Sequence, residues 1–220
     1  YDIPRERRVH KVPTPLLGGL AISVSFLVTT LAFGLIDRSV FGLFAGGILI
    51  LVVGIIDDVV ELKPSVKLLG QIAAAVVLVM SGIRAEFITN PFTKQMVYIG
   101  NWSIPITVIW VVAFTNIVNF MDGLDGLAAG VSAIAATTIA LVAVDKGNTS
   151  TALMSFALAG SAIGFLKYNF NPAMVFMGDA GAMFLGYMIS GISVLGAYKG
   201  PATLALAVPA LVLGIPVLDT

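Results

Sequence analysis

The sequence has no cysteine and a single histidine among its 220 residues. Without cysteine, the chain has neither a disulfide nor a thiolate nucleophile or metal ligand. One histidine, His10, is too few for a multi-histidine zinc site within these residues. Charged residues are also scarce, at 11% of the chain, whereas a soluble domain carries about 25%. So few charges do not cover a water-facing surface, and we predict an integral membrane protein.

Hydrophobic residues make up 58% of the chain and are concentrated in long runs. A helix that crosses the roughly 30 Å hydrocarbon core of a bilayer needs about 20 apolar residues. Eight runs approach this length, at residues 16–36, 40–56, 66–82, 104–120, 126–144, 150–166, 181–198 and 201–218. The short links between most of them require neighbouring spans to run antiparallel. We therefore predict an all-α fold, a polytopic membrane helical bundle with about eight transmembrane helices.

Antiparallel spans divide the links between the helices into two sets. One set carries seven of the twelve Lys and Arg residues, including a basic cluster before the first span. Cytoplasmic loops carry an excess of Lys and Arg, so we expect this set to face the cytoplasm. The same set carries nine of the twelve Asp and Glu residues. Because acids contribute little to topology, this excess predicts a shared polar site at the cytoplasmic mouth of the bundle.

The one long link, at residues 83–103, alternates β-forming residues around Asn-Pro and Gly-Asn pairs. This pattern predicts a small β-hairpin on the non-cytoplasmic membrane surface. No soluble domain, repeat or low-complexity tract is visible, so we expect residues 1–220 to form a single integral-membrane domain. Because the chain opens on Tyr1 and stops directly after an apolar run, we expect a piece of a longer protein, truncated at both ends.

The first polar motif, DDVVELKPSVKLLGQ, begins with Asp57 and Asp58 at the end of the second apolar run. A helix C-terminus prefers cations, so we do not expect capping to explain two adjacent carboxylates. Their mutual repulsion calls for a metal or a base nearby, and Lys63 and Lys67 follow. The structural alternative is a solvated interfacial loop.

The second polar motif is NIVNFMDGLDGLAAG at residues 116–130. Asn116 and Asn119 lie one turn apart near the end of a predicted helix. In the structural alternative, Asp122 caps the next helix and Asp125 lies in its first turn. That alternative leaves both asparagines and the repeated Asp-Gly pair unexplained.

The third polar motif, VFMGDAGAMFLGY, places Asp179 just before the seventh run, between Gly178 and Gly181. A simple helix N-cap is again the structural alternative. Flanking glycines let a ligand approach the backbone, and Phe176 offers a flat face on which a base can stack. Together the motifs offer carboxylate and amide oxygens, which suit Mg²⁺ or Mn²⁺ with substrate phosphates. No Walker A pattern occurs, which excludes an ordinary P-loop.

These three motifs, in this order, resemble those of the polyprenyl-phosphate N-acetylhexosamine-1-phosphate transferases, and PTPLLGG at residues 13–19 is a further shared element. The chain is most similar to the bacterial undecaprenyl-phosphate N-acetylglucosamine-1-phosphate transferases of glycosyltransferase family 4. These enzymes begin O-antigen, common-antigen or teichoic-acid linkage synthesis. The resemblance implies about ten spans in the whole protein, an active site on the cytoplasmic face of the bacterial inner membrane, and a His-rich loop beyond Thr220.

The resemblance also implies substrates and residue roles. UDP-N-acetylglucosamine would donate sugar 1-phosphate to undecaprenyl phosphate, and UMP would leave. The bilayer is the expected setting, no nucleic acid is expected as a partner, and a homodimer is left open. By this resemblance, Asn119 and Asp179 would bind Mg²⁺ or Mn²⁺. The implied catalytic residues are Asp57, Asp58 and Asp122. The implied substrate-binding residues are Lys67, Asn116, Gly123, Asp125 and Phe176.

A phosphate monoester is mostly a dianion at pH 7. This charge favours direct attack of the lipid phosphate on the β-phosphorus of the UDP-sugar. A two-step route through a phosphorylated aspartate is the alternative. The phospho-N-acetylmuramoyl-pentapeptide transferases share the three motifs and remain a rival. A CDP-alcohol phosphotransferase needs an arginine soon after the first Asp-Gly, which DGLDGLAAGVSAIAATT lacks. An ion-coupled transporter is a distant rival, because it would place charges within spans rather than at one mouth.

Overall fold

The computed structural model describes residues 14–35, 37–89 and 96–198. Seven α-helices follow one another in these ranges: α1 (Gly18–Ala32), α2 (Arg38–Val60), α3 (Pro64–Met80), α4 (Ser103–Met121), α5 (Leu127–Asp145), α6 (Thr149–Asn169) and α7 (Gly178–Tyr198). Helices α2, α5, α6 and α7 are long and apolar enough to cross a membrane, as is α4 together with the 3-10 turn Gly100–Trp102. The chain is therefore an all-α, multi-pass membrane protein, as predicted.

The first helix is shorter than its predicted span, and the third begins two residues before its predicted span. The run at 16–36 forms the 15-residue α1, and the run at 66–82 forms the 17-residue α3. Pro64 occupies the first position of α3, where its missing N–H sacrifices no helical hydrogen bond. The predicted eighth span at 201–218 lies outside the described residues, as does the N-terminal basic cluster with His10.

Two short strands lie in the link for which a hairpin was predicted. Strands β1 (Phe87–Thr89) and β2 (Met96–Tyr98) pair antiparallel, with Phe87 opposite Tyr98. Residues 90–95, between the strands, lie outside the described part of the chain. The Ala85 N–H donates to Thr107 Oγ1 at 3.0 Å, which attaches the start of this link to α4.

Helix α7 forms the centre of the bundle. It packs against α1, α2, α4, α5 and α6, and residues 180–195 are all buried. Glycines make these contacts close: a Cβ at Gly54 on α2 would overlap the backbone of Ala180, and one at Gly186 would lie 2.7 Å from the Phe114 carbonyl oxygen on α4. Small residues are what allow membrane helices to approach. This packing fixes the beginning of α7 against its neighbours.

Candidate functional site

The three polar motifs meet at one end of the bundle, which we call the carboxylate mouth. It is formed by the α2–α3, α4–α5 and α6–α7 links and carries Asp57, Asp58, Asp122, Asp125 and Asp179. Lys67, in the first turn of α3, joins the end of α2 to the beginning of α7. Its Nζ lies 2.5 Å from Asp57 Oδ2 and 3.2 Å from Asp179 Oδ1.

Asp58 lies at the end of α2 and caps a different helix, α7. Its Oδ1 accepts the Asp179 N–H at 2.7 Å, and its Oδ2 accepts the Ala180 N–H at 3.2 Å. The first N–H groups of a helix lack partners within that helix, and its positive dipole end favours a carboxylate. The expectation that capping does not explain the pair is therefore wrong for Asp58, because the carboxylate caps a helix other than its own. The predicted catalytic role of Asp58 stays a prediction.

Gly178 makes the contact between α2 and α7 feasible. Its φ is +72°, in the left-handed region that glycine adopts without steric strain. A Cβ at this position would lie 2.6 Å from Asp58 Oδ2. Both the backbone conformation and the space available therefore require glycine here. The alternative in which Asp179 is itself the N-cap does not hold, because Asp179 lies in the first turn of α7.

Asp57 is 4% exposed and uses both carboxylate oxygens. Oδ1 accepts the Leu62 N–H at 2.8 Å, which closes the turn after α2, and Oδ2 pairs with Lys67. Because Lys67 also contacts Asp179, Asp57 orients the ammonium group toward the mouth. Two adjacent aspartates therefore have separate contacts, one to a lysine and one to a helix N-terminus.

Negative charge is in excess at the carboxylate mouth. Within the described part of the chain, the ion pairs of its carboxylates involve Lys67 alone. Burial raises the pKa of Asp122 well above its usual range, and the negative charges of Asp179 and Asp58 raise this pKa further. A divalent cation bound beside these groups would relieve their repulsion.

The residues predicted to hold Mg²⁺ lie in contact across two helices. The Asn119 amide, on α4, donates a hydrogen bond to Asp179 Oδ1, on α7. An amide oxygen and a carboxylate are ligands that Mg²⁺ accepts. No three His, Cys, Asp or Glu side chains in residues 14–35, 37–89 and 96–198 have metal-site spacing. The donor set therefore fits a cation held by two protein oxygens, with substrate phosphates and water completing its coordination.

Asn116 lies one turn further into the bundle and is paired with Gln71 of α3. The Asn116 amide nitrogen donates to Gln71 Oε1 at 2.6 Å and to the Val112 carbonyl at 2.8 Å. The Gln71 amide nitrogen donates back to Asn116 Oδ1 at 3.3 Å. These contacts satisfy two amides within an apolar bundle and join α3 to α4. A substrate contact of Asn116 stays a prediction.

The α4–α5 and α6–α7 links are joined by Asn169, at the end of α6. Asn169 is 3% exposed; its Oδ1 accepts the Gly126 N–H at 3.0 Å and its Nδ2 donates to the Val175 carbonyl at 3.0 Å. Asp125 Oδ2 adds a contact by accepting the Ala173 N–H at 3.1 Å. The structure therefore places Asp125 and the Phe176 segment on adjoining loops.

Neither Asp122 nor Asp125 caps α5, so the structural alternative for the second motif is wrong. Helix α5 begins after Gly126, which has a φ of +76° and supplies no side-chain cap. Gly123 and Asp125 are exposed at the mouth. Their predicted contact with the uracil remains a prediction.

The PTPLLGG element lies against the α6–α7 link. The Phe176 N–H donates to the Pro15 carbonyl at 3.0 Å, and the Gly18 N–H donates to the Phe176 carbonyl at 3.1 Å. The Gly19 N–H donates to the Met177 carbonyl at 3.0 Å. The start of α1 therefore holds the backbone of Phe176, whose ring is half-buried. Pro13, the first residue of the element, lies outside the described residues.

Sequence reasoning missed Gln71 and Asn169. Gln71 carried a usable signal, because an amide within an apolar run is costly to bury without a partner. Asn169 sits in the segment NFNP, where turn-forming residues obscure any tertiary role.

The sequence matches a known protein family and several known proteins. The family model described as glycosyl transferase family 4 matches residues 40–197. Over 220 residues, the chain is 40% identical to a probable undecaprenyl-phosphate N-acetylglucosaminyl 1-phosphate transferase of Bacillus subtilis (strain 168), a match that covers 100% of the chain and 62% of that protein.

Two further relatives are similar at lower identity. A phospho-N-acetylmuramoyl-pentapeptide-transferase of Caldanaerobacter subterraneus is 36% identical over 198 residues, which cover 85% of the chain and 62% of that protein. A decaprenyl-phosphate N-acetylglucosaminephosphotransferase of Mycobacterium leprae is 36% identical over 209 residues, which cover 86% of the chain and 52% of that protein. The chain thus spans between half and two thirds of the length of these relatives. Because the family model extends from α2 through α7 and includes all three polar motifs, the chain belongs to glycosyl transferase family 4.

Proposed function

We propose that the protein transfers N-acetylglucosamine 1-phosphate from UDP-N-acetylglucosamine to undecaprenyl phosphate, with release of UMP. The reaction would take place at the cytoplasmic face of the bacterial inner membrane, as a first membrane step of cell-envelope polysaccharide synthesis. The observation that carries the proposal is the convergence of Lys67, Asn119 and the Asp58-capped start of α7 on Asp179. The printed name of the Bacillus subtilis relative supports the choice of sugar and lipid.

The carboxylate mouth suits a diphosphate that arrives from water. Lys67 would neutralise phosphate charge, since its ammonium is held at the mouth by Asp57 and Asp179. Asn119 and Asp179 would hold Mg²⁺, which when bound polarises phosphoryl oxygens and offsets the charge that develops during transfer. Asp122 would supply a further carboxylate near Asp179.

The acceptor needs positioning more than deprotonation. The second pKa of a phosphate monoester is about 6, so a lipid phosphate is mostly the dianion at pH 7. One of its oxygens would attack the β-phosphorus of the donor as the bond from that phosphorus to the bridging oxygen breaks, and UMP would carry the electron pair away. In this scheme Asp57 orients Lys67, and Asp58 positions Asp179 through the backbone of α7.

The α4–α5 and α6–α7 links, which Asn169 joins, would recognise the base of the donor. Gly123 and Asp125 would contact the uracil, and the Phe176 ring would stack on it. Base–aromatic stacking contributes about 1–3 kcal/mol elsewhere. The backbone contacts of Phe176 with the start of α1 would hold the ring in place.

The decisive experiment measures UMP release by the protein reconstituted in lipid vesicles. We expect release from UDP-N-acetylglucosamine only after undecaprenyl phosphate is added, loss of release with a metal chelator, and recovery with Mg²⁺ or Mn²⁺. No release under any of these conditions would refute the proposal. A stoichiometric burst of UMP without acceptor, lost in Asp57→Asn or Asp58→Asn, would instead establish the two-step route.

A second candidate is transfer of phospho-N-acetylmuramoyl-pentapeptide to the same lipid. The relative from Caldanaerobacter subterraneus, which matches 85% of the chain, favours this alternative. The two donors share UDP and differ in the sugar substituent. Parallel assays with both UDP-sugars separate the candidates, because the correct donor supports the higher kcat/KM.

A further inference from the structure

A cavity of about 490 Å³ opens at the end of the bundle opposite the carboxylate mouth. It is lined by the beginning of α2, the end of α3 and the beginning of α4, together with the link that precedes β1. Along α2, Arg38 precedes Asp58 by 20 positions. At 1.5 Å per residue this separation is about 30 Å, close to the thickness of the hydrocarbon core. The cavity therefore lies at the opposite membrane interface.

Two arginines and one glutamate give the cavity a net positive charge. Arg84 is held by Glu86, whose Oε1 accepts from Arg84 Nε at 3.0 Å and lies 2.9 Å from Nη2. Their link is anchored by the Ala85 N–H bond to Thr107. Arg38 is exposed and forms no ion pair with any residue of the described ranges. One guanidinium is therefore fixed in place, and the other is available to an anion.

The other wall of the cavity is apolar and faces outward. Met80 is 74% exposed and Ile104 is 46% exposed, and both line the cavity beside Val79. Exposed apolar side chains next to arginines at the level of a membrane interface match a molecule that has an anionic head and a hydrocarbon body. A soluble anion would contact the arginines alone.

We propose that the cavity binds the phosphodiester headgroup of an anionic phospholipid, with Arg38 and Arg84 on the phosphate and Met80 and Ile104 along the first acyl carbons. Guanidinium groups bind phosphate oxygens through paired, charge-assisted hydrogen bonds. Basic pockets between transmembrane helices bind anionic headgroups on the cytoplasmic or matrix side, and the proposal extends this chemistry to the opposite interface. The site is separate from the carboxylate mouth, so its test does not depend on the proposed transfer reaction.

The test measures lipid retention by native mass spectrometry on the protein in detergent. Phosphatidylglycerol, phosphatidylcholine and inorganic phosphate are the probes. We expect phosphatidylglycerol to bind at least about tenfold more tightly than phosphatidylcholine, and Arg38→Gln to weaken phosphatidylglycerol binding about tenfold, as for the loss of one charged hydrogen bond. Lys146→Gln is the matched control, because it removes a cation paired with the adjacent Asp145 outside the cavity.

Three results would overturn the proposal. They are equal retention of the two phospholipids, unchanged phosphatidylglycerol binding in both Arg38→Gln and Arg84→Gln, and an equal loss in the Lys146→Gln control. Displacement of phosphatidylglycerol by millimolar inorganic phosphate would assign the cavity to a soluble anion and would also overturn it. Arg38→Gln guards against misfolding as an explanation, because the Arg38 side chain is exposed and forms no ion pair with any residue of the described ranges.

Discussion

The two ends of the bundle carry charged side chains of the same kinds but use them differently. At the carboxylate mouth, the contacts join residues that are far apart in sequence. Lys67 reaches Asp179 across 112 positions, and Asp58 accepts the Asp179 N–H across 121 positions. These contacts are partly buried, so water weakens them little. They hold separate helices in one arrangement.

At the opposite end, the ion pairs are local. Arg84 pairs with Glu86 two positions away, and Lys146 pairs with the adjacent Asp145. The Lys146 and Asp145 side chains are 39% and 73% exposed. Exposed pairs of this kind contribute about 0–1 kcal/mol. Among the described residues, charged side chains therefore join distant helices only at the end with the candidate active site.

The largest effect is expected for Asp179→Asn. The variant removes the carboxylate on which Lys67 and Asn119 converge, but keeps the backbone N–H that Asp58 caps. If Asp179 holds Mg²⁺ as proposed, its loss should lower the rate of UMP release more than about a hundredfold, equivalent to several kcal/mol of transition-state stabilisation. Near-normal turnover at saturating Mg²⁺ and substrate would remove Asp179 from the metal site. Thermal unfolding in detergent provides the control for folding.

The next largest effect is expected for Gly178→Ala. Its Cβ would meet the Asp58 carboxylate, and φ at this position is +72°. Overpacking typically costs about 1–3 kcal/mol, and left-handed backbone conformation costs an L-residue about 1–2 kcal/mol more. We expect a clear fall in the melting temperature together with a fall in activity.

Gly160→Ala is the matched control for this variant. Gly160 lies within α6, and a Cβ there would meet nothing within 4 Å. Alanine is the better helix former, by about 1 kcal/mol. Unfolding temperatures that fall equally in the two variants would contradict the steric argument at Gly178.

A smaller loss of stability is expected for Asp58→Ala. Removal of an N-cap costs about 0.5–2 kcal/mol, and here the cap connects α2 to α7. Asp58→Asn should restore part of this stability, because an amide oxygen accepts one of the two N–H bonds. Chemical or thermal unfolding of wild type, Asp58→Asn and Asp58→Ala measures the order of their stabilities. Equal stability of Asp58→Ala and wild type would show that the cap contributes nothing.

The smallest effect is expected for Lys146→Gln at the opposite end. The variant breaks an exposed pair between adjacent residues, so we expect stability within about 0.5 kcal/mol of wild type and unchanged UMP release. A loss as large as that of Asp58→Ala would abolish the distinction between the two ends. Unfolding of both variants under one set of conditions makes the comparison direct.

Much of the architecture follows from sequence alone. A chain with 58% hydrophobic and 11% charged residues does not form a water-soluble surface, and its long apolar runs make helices. Short links alternate the direction of these helices, which brings the three polar motifs to one end. The resemblance to the family implied that Asn119 and Asp179 act together, and the structure places them in contact.

Tertiary structure alone decided the difference between Asp57 and Asp58. The two residues are identical in type and adjacent in sequence, so sequence pattern assigns them one role. On a helix, adjacent side chains point about 100° apart, and close packing of α2 at Gly54 against Ala180 brings the first N–H groups of α7 to Asp58. Asp58 therefore meets a helix N-terminus, and Asp57 meets Lys67. Which helix end lies beside a carboxylate depends on how the helices pack, and local sequence does not encode that contact.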